Sequence, residues 1–311
     1  MLLLISAYLA DLVFGDPEWL PHPVRWMGRM ISVLEVNLRG GSVRAERLKG
    51  ALLVVTVIGI SAICSYLFIY LAGKINQLLG AAAWIYTAYT TIAVKDLLDR
   101  ARTIMHQLNK GDIANARTEL SGIVSRSTAE LDEDKVTVST IESLAENTSD
   151  GVIAPLFYLI LGGPVLAIAY KSINTLDSMV GYKNEKYINL GWFSARLDDL
   201  ANFIPARISG LLISVSSAIL GRGFKAPFNM MLRDGRKHPS PNSGVPEAAM
   251  AGALGIRLGG SWVYDGKASD KPFLGDEARS VENGMISEAS SICFVASFLM
   301  VSIGVVYKWL V

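Results

Sequence analysis

Between Glu142 and Arg207 the chain places Glu142, Glu146, Asp150, Lys171, Asp177, Arg196, Asp198, Asp199 and Arg207 around an apolar run that could itself cross a bilayer. Charge set beside lipid must have partners or a purpose. Glu142, Glu146 and Asp150 recur at four-residue spacing, so a helix through them lines three carboxylates along one side, where they repel unless a cation or a basic ligand answers them. Arg196, Asp199 and Arg207 share a face if one helix carries all three, since the eleven residues from first to last make close to three turns. Pro205 weighs against that continuation. A plainer reading stands beside each set: acidic pairs one turn apart are commonly a solvated helix face, and Lys171 and Arg207 at the ends of apolar runs can snorkel to headgroups. The density of such residues in one stretch favours a site.

A second stretch, RDGRKHPSPNSGVPEAAMAGALGIRLGG, joins turn chemistry at Ser240 to Gly244 to a helix expected from Pro246 to about Leu258. Its free backbone N–H groups would face Ser240, Asn242 and Ser243, with Lys237 and His238 adding positive charge, which is the composition of a phosphate cradle. Ala251, Gly255 and Gly259 at four-residue spacing read as close helix packing. No GxxxxGK[ST] or strand-borne GxGxxG supports a P-loop or Rossmann phosphate site. Near the start, GDPEWLPHPVRWMG uses Pro17, Pro21 and Pro23 to fix an extended turn presenting Asp16, His22 and Arg25. A lone histidine there is more often structural than catalytic.

The elements that must position these residues are apolar. Of 311 residues 51% are hydrophobic and 18% charged, and the mean hydropathy is +0.37, too apolar for an ordinary soluble chain of this size. A net charge of +1 argues against a nucleic-acid binder. Cys64 and Cys293 both lie in apolar runs, indicating neither a disulfide framework nor a thiolate zinc site. Met1 to Phe14 lacks the basic start and cleavage site of a signal peptide and reads as a retained helix. Uncharged runs cover Gly50 to Gly73, Leu78 to Val94, Val152 to Tyr170 and Ala289 to Tyr307. Pro155, Gly162, Gly163 and Pro164 interrupt the third, which reads as a broken or re-entrant segment with Ile208 to Gly221 as its return leg. Basic residues on both flanks of the first pair put those flanks in the cytoplasm. The expected architecture is all-α: one multi-pass membrane domain over residues 1–311 with about five membrane segments, a helical cytoplasmic region at about 95–151 and a polar loop region at about 222–288.

These stretches, taken together, resemble the adenosylcobinamide-phosphate synthase family of cobalamin biosynthesis, CobD or CbiB. The resemblance rests on DLVFGDPEWLPHPVRWMG, ESLAENTSDGVIAPLFY, KSINTLDSMVGY, RLDDLANFIPAR and HPSPNSGVPEAAMAGALGIRLGG in that order, with SPNSG where the family has SPNAG. It implies a cytoplasmic-membrane enzyme, its site facing the cytoplasm, that uses ATP and Mg2+ to join the propionate of adenosylcobyric acid to aminopropanol or its O-phosphate. On that resemblance Glu146, Asp150, Lys171, Asp177, Arg196 and Asp199 are the expected catalytic residues. Asp16, His22, Asn147, Asn174, Arg207, His238, Ser240 and Asn242 are the expected substrate contacts, and Glu146, Asp150, Asp177 and Asp199 the candidate Mg2+ ligands. Expected partners are the two substrates, the lipid bilayer and other membrane-bound enzymes of cobamide assembly. The competing classes are an AmpE-like membrane sensor, which needs no such constellation, and a transporter, against which stand the few spans and the large polar regions.

Overall fold

The computed structural model describes the chain apart from Glu18, Lys183, Asp265, Gly266 and Val311, together with the side chains of residues 263, 264 and 267–269. In chain order the helices are α1 (Leu2–Phe14), α2 (Pro23–Leu38), α3 (Val43–Ile75), α4 (Gln77–Tyr89), α5 (Val94–Asn109), α6 (Ile113–Ser121) and α7 (Glu133–Asn147). A π-helical turn (Thr148–Ile153) follows, then α8 (Ala154–Val180), α9 (Trp192–Ala201), α10 (Phe203–Ile219), α11 (Lys225–Asp234), α12 (Gly244–Leu254) and, at the end, α13 (Met285–Leu310). Strands β1 (Leu258–Tyr264) and β2 (Lys267–Leu274) pair antiparallel, with a register irregularity between Leu258 and Gly260. The hairpin departs from the all-α expectation. It forms where Gly255, Gly259 and Gly260, all with positive φ, end the helical backbone before the β-branched and aromatic run Trp262-Val263-Tyr264.

The sequence reads as one domain; the contacts group it into two compact units. The first holds Met1–Ala93, Ala154–Asn202 and Val301–Val311, the second Val94–Ile153 and Phe203–Met300. In the first unit, α2, α3 and α8 meet through Ile31, Leu53, Val54, Val57, Leu176 and Val180, all buried. Gly50 lets α3 approach the backbone at Leu190, where any Cβ would fall 2.0 Å from the carbonyl oxygen. In the second unit, α12 is packed by α7, α10, α11 and the hairpin, and ten of its eleven residues are buried.

Among the described residues three helices are long and apolar enough to cross a membrane: Val43–Ile75, the continuous run Glu133–Val180 and Met285–Leu310, with a fourth if α9 and α10 serve as one bent span. Large apolar side chains such as Leu52, Val55, Ile63, Leu67 and Leu71 lie exposed along α3, as a lipid-facing surface requires. The expected span over Leu78 to Val94 is the 13-residue α4, about 20 Å long, short of a ~30 Å hydrocarbon layer. The interrupted segment is broken where the sequence implies, at Gly163 with φ 72° ahead of Pro164, but the helix carries on to Val180. The expected return leg, α10, reaches spanning length only with α9.

Candidate active site

In the second unit the site is built on α7. Asp132 caps this helix, its Oδ1 accepting the Lys135 N–H at 2.9 Å, and from Val136 to Ala145 every residue is buried, so the helix is enclosed on all sides. Glu142 is 1% exposed. Its Oε2 lies 2.6 Å from Arg126 Nη1, its Oε1 accepts the Gly259 N–H at 2.7 Å, and the Arg126 guanidinium lies over the Trp262 ring with its carbon 4.0 Å from the centroid. This is a buried ion pair, not the solvated face that an acidic i,i+4 spacing usually marks. Asn147 turns back on its own helix, donating to the Ser143 carbonyl at 2.9 Å. Asp150 lies in the π-helical turn, whose wider winding moves it off the row that Glu142 and Glu146 share.

The turn before α12 closes the other side. Ser240 Oγ accepts N–H bonds from Asn242 and Ser243, each at 3.2 Å, and Ser243 Oγ donates to Glu146 Oε1 at 3.1 Å. Arg207 donates to Asn242 Oδ1 at 2.7 Å and to the Pro241 carbonyl at 3.1 Å. The helix begins at Gly244, two residues before Pro246, and stops at Gly255 in the left-handed conformation. Any Cβ on Gly244 would fall 2.4 Å from His238 Cβ and 2.5 Å from the Gly235 carbonyl oxygen, so this approach requires glycine. The expected phosphate cradle is therefore already occupied in part: the Ser240 hydroxyl takes the Asn242 and Ser243 N–H groups that an anion would use.

Two buried groups face each other inside this turn. His238 Nε2 lies 3.9 Å from Glu247 Oε1, with side chains 8% and 2% exposed, and among the described residues neither His238 Nε2 nor Glu247 Oε2 has a hydrogen-bond partner. Burial, then the positive charge of Lys271, lowers the His238 pKa to about 4. Burial, then the negative charge of Glu142, pushes Glu247 well above the carboxylate range.

The remaining expected residues gather in the first unit. Lys171, Asn174 and Asp177 follow one another along α8, and Arg196, Asp198 and Asp199 lie on α9. Asn202 bridges them to an aromatic pair: its Nδ2 donates to Asp198 Oδ2 at 3.0 Å and its Oδ1 accepts from the Tyr170 hydroxyl at 2.8 Å, with Tyr170 stacked on Tyr158. Arg196 and Asp199 form a loose exposed pair at 3.9 Å. Arg207 does not extend that face, because α9 ends at Ala201 and Pro205 sits in the first turn of a new helix. Asp16 accepts from Arg25 at 2.8 Å and lies 3.8 Å from His22, so the proline-rich turn clasps itself.

The sequence reading missed Glu247, Arg126, Lys271 and Trp262. One signal was present: Glu247 is the only charged residue from Gly244 to Ile256, an acid stranded in an apolar helix. Arg126 and Lys271 carry no such mark. Among the described residues no group of three or more His, Cys, Asp or Glu is arranged to hold a metal ion, so Glu146, Asp150, Asp177 and Asp199 form no preassembled metal centre.

The model of the family described as CobD/Cbib protein matches residues 4–293. The chain is 48% identical to the cobalamin biosynthesis protein CobD of Geobacter metallireducens over 89% of this chain and 87% of that one. It is 44% identical to the Listeria monocytogenes serotype 4b protein of that name over 96% and 95%, and 43% to the Citrobacter koseri one over 98% and 96%. No solved structure matches. End-to-end relatives at this identity, together with a family model that covers nearly the whole chain, place it in the CobD/CbiB family.

Proposed function

We propose that the chain is a membrane-bound amide ligase of cobalamin biosynthesis, which activates the propionate carboxylate of adenosylcobyric acid with ATP and joins it to aminopropanol or its O-phosphate. Family membership supports the pathway, since the relatives are named for cobalamin biosynthesis. The observation that carries the reaction class is the polar cluster in which the side chains of Glu142, Glu247, Arg126 and His238 are buried beside half-buried Glu146, and in which polar atoms of Glu247 and His238 stand without hydrogen-bond partners among the described residues. Leaving buried polar groups unsatisfied costs stability, and such groups persist where a ligand completes them. An AmpE-like sensor gives no reason to keep them.

A carboxylate does not condense with an amine at neutral pH until its oxygen becomes a leaving group, and phosphorylation supplies one. Mg2+ that travels with ATP neutralises the phosphates and needs only one or two protein carboxylates; the candidates are Glu146 and Asp150 in the second unit, with Arg207 as a counter-charge to phosphate oxygens, or Asp177 and Asp199 in the first, with Lys171 and Arg196. The helices long and apolar enough to cross a membrane support a membrane-bound enzyme; in this reading it works in the cytoplasmic membrane beside other membrane-bound enzymes of cobamide assembly.

Purified protein with Mg2+, ATP, adenosylcobyric acid and 1-amino-2-propanol should form amide and consume ATP in proportion. His238→Ala and Asn242→Ala should raise the KM for the amine more than the KM for ATP. Amide formed equally well without nucleotide would overturn the activation step.

A further inference from the structure

The gap between His238 and Glu247 has a defined polarity. His238 Nδ1 accepts the Ser240 N–H at 3.1 Å, which leaves the proton of the neutral ring on Nε2, a donor. Facing it at 3.9 Å is a carboxylate whose other oxygen is unpartnered. This distance is too long for a hydrogen bond, and both side chains are more than nine-tenths buried. A donor and an acceptor thus face each other beyond hydrogen-bond distance.

The charge around Glu247 sharpens the requirement. From α7 it is faced by Glu142 and Glu146, from the segment before α7 by Arg126, from β2 by Lys271 and from the turn by neutral His238. Three carboxylates, Glu247 included, are set against two cations, so the fully ionised cluster is one positive charge short. A monocation would complete it. A bare divalent ion suits the gap poorly, since the Nε2–H donor would point at it. A vicinal amino alcohol suits it well: its ammonium meets the carboxylate, and its oxygen, on the adjacent carbon, accepts from Nε2–H.

We propose that His238 and Glu247 form the amino-alcohol subsite, with Glu247 as the base that frees the attacking amine. This rests on the ligase reading above and deepens it. The ammonium N–H breaks and the proton passes to a Glu247 oxygen. The released lone pair forms the C–N bond at the phosphorylated propionate carbon, the C–O bond to phosphate breaks, and phosphate leaves with that electron pair; the second N–H proton departs to phosphate or water. His238 has its Nδ1 engaged and its Nε2 protonated, so it holds the substrate oxygen and takes no proton.

Hydroxylamine separates the two readings, because it is already unprotonated at neutral pH and needs neither an ammonium subsite nor a base. Wild-type protein with ATP and adenosylcobyric acid should form hydroxamate from hydroxylamine and amide from 1-amino-2-propanol. Glu247→Gln should keep hydroxamate formation, which also reports that the variant is folded, and lose on the order of 10²-fold in kcat/KM for the amino alcohol. Glu247→Asp should recover part of that loss. Replacing 1-amino-2-propanol by propylamine should cost wild-type protein kcat/KM and cost His238→Ala little further. Near-normal amide formation by Glu247→Gln would overturn the proposal while leaving the ligase reading intact; loss of hydroxamate and amide together would assign Glu247 to activation or to the scaffold and overturn it too. Absence of hydroxamate from the wild type would overturn the ligase reading, and the subsite with it.

Discussion

Two carboxylates of the second unit are equally hidden from solvent and opposite in everything else. Asp234, at the end of α11, is 0% exposed and accepts from Arg233 Nε at 2.8 Å and Nη2 at 2.6 Å, from the Gly275 N–H at 2.8 Å and from Lys237, whose Nζ lies 2.7 Å away. The hydrogen bonds from Arg233 above all hold it well below the ordinary carboxylate range. Glu247, 1% exposed, has one oxygen with no partner and another 3.9 Å from a histidine, and it is pushed up. A satisfied buried charge ties the α11 terminus to the end of the hairpin; an unsatisfied one in an otherwise well-packed helix is kept for something that comes and goes. Burial alone does not separate the two roles, but the count of donors does.

The largest expected effect tests that contrast directly. Asp234→Asn takes away the buried acceptor that Arg233 and Lys237 share; both cations are 47% exposed and Arg233 keeps Asp276, so the loss is that of hydrogen bonds to a charged group, about 1.5–3 kcal/mol, and thermal unfolding in detergent should occur at lower temperature. Glu247→Gln should go the other way, holding or raising the midpoint, because it removes a buried charge that Glu142 and Glu146 repel and that Lys271 and Arg126 offset only in part. If both variants lose stability equally, the two carboxylates do the same structural job and the distinction fails.

The same contrast has a pH signature of intermediate size. Asp234 is lowered in the folded protein, so its contribution is present above the unfolded value of about 3.9 and is lost as pH falls below it. His238 is lowered to about 4, so its contribution is present above the unfolded value of about 6.5 and is lost as pH falls between those limits. Glu247 is raised, so its contribution is present below the unfolded value of about 4.3 and is lost as pH rises through the folded one. Melting curves from pH 4 to 8 should therefore show His238→Gln flattening the acid-side decline and Glu247→Gln flattening the loss on the alkaline side. An unchanged profile in both variants would mean that neither group titrates between folded and unfolded states as its surroundings imply.

How far the site was legible follows from sequence separation. The caps at Asp112 and Asp132, the helix over Val94–Asn109, the long apolar runs and the break at Gly163 are local events, fixed by side chains within a turn of one another, and each stands in the sequence. Glu142 and Glu146 were recognisable as a pair, but their partners lie far along the chain: Ser243 is 97 residues from Glu146 and Gly259 is 117 from Glu142. No spacing rule reaches that distance. Arg207 shows the same limit, since its acceptor Asn242 is 35 residues away while its expected companions Arg196 and Asp199 belong to another helix. The hairpin was missed because Ala251, Gly255 and Gly259 fit a close-packed helix by spacing, and only the positive φ values at Gly255, Gly259 and Gly260 reveal the turn to extended backbone.

The smallest effect is expected at Arg196, and it separates the local pairs from the long-range ones. Arg196 lies 3.9 Å from Asp199 with its side chain 66% exposed, an arrangement in which solvent screens the attraction and the ordering of two flexible chains offsets much of the rest, leaving about 0.2–1 kcal/mol. Arg196→Ala should therefore move the unfolding midpoint within measurement error. Its effect on catalysis is then readable without a folding correction, which is not true of Arg126 or Glu142. If Arg196 meets a phosphate oxygen of ATP, as the ligase reading allows, the variant should raise the KM for ATP with hydroxamate and amide formation affected alike, because both follow activation. If turnover with both acceptors is unchanged, the residue is a solvated helix face, and the catalytic cations must be sought among those that the fold holds by distant partners.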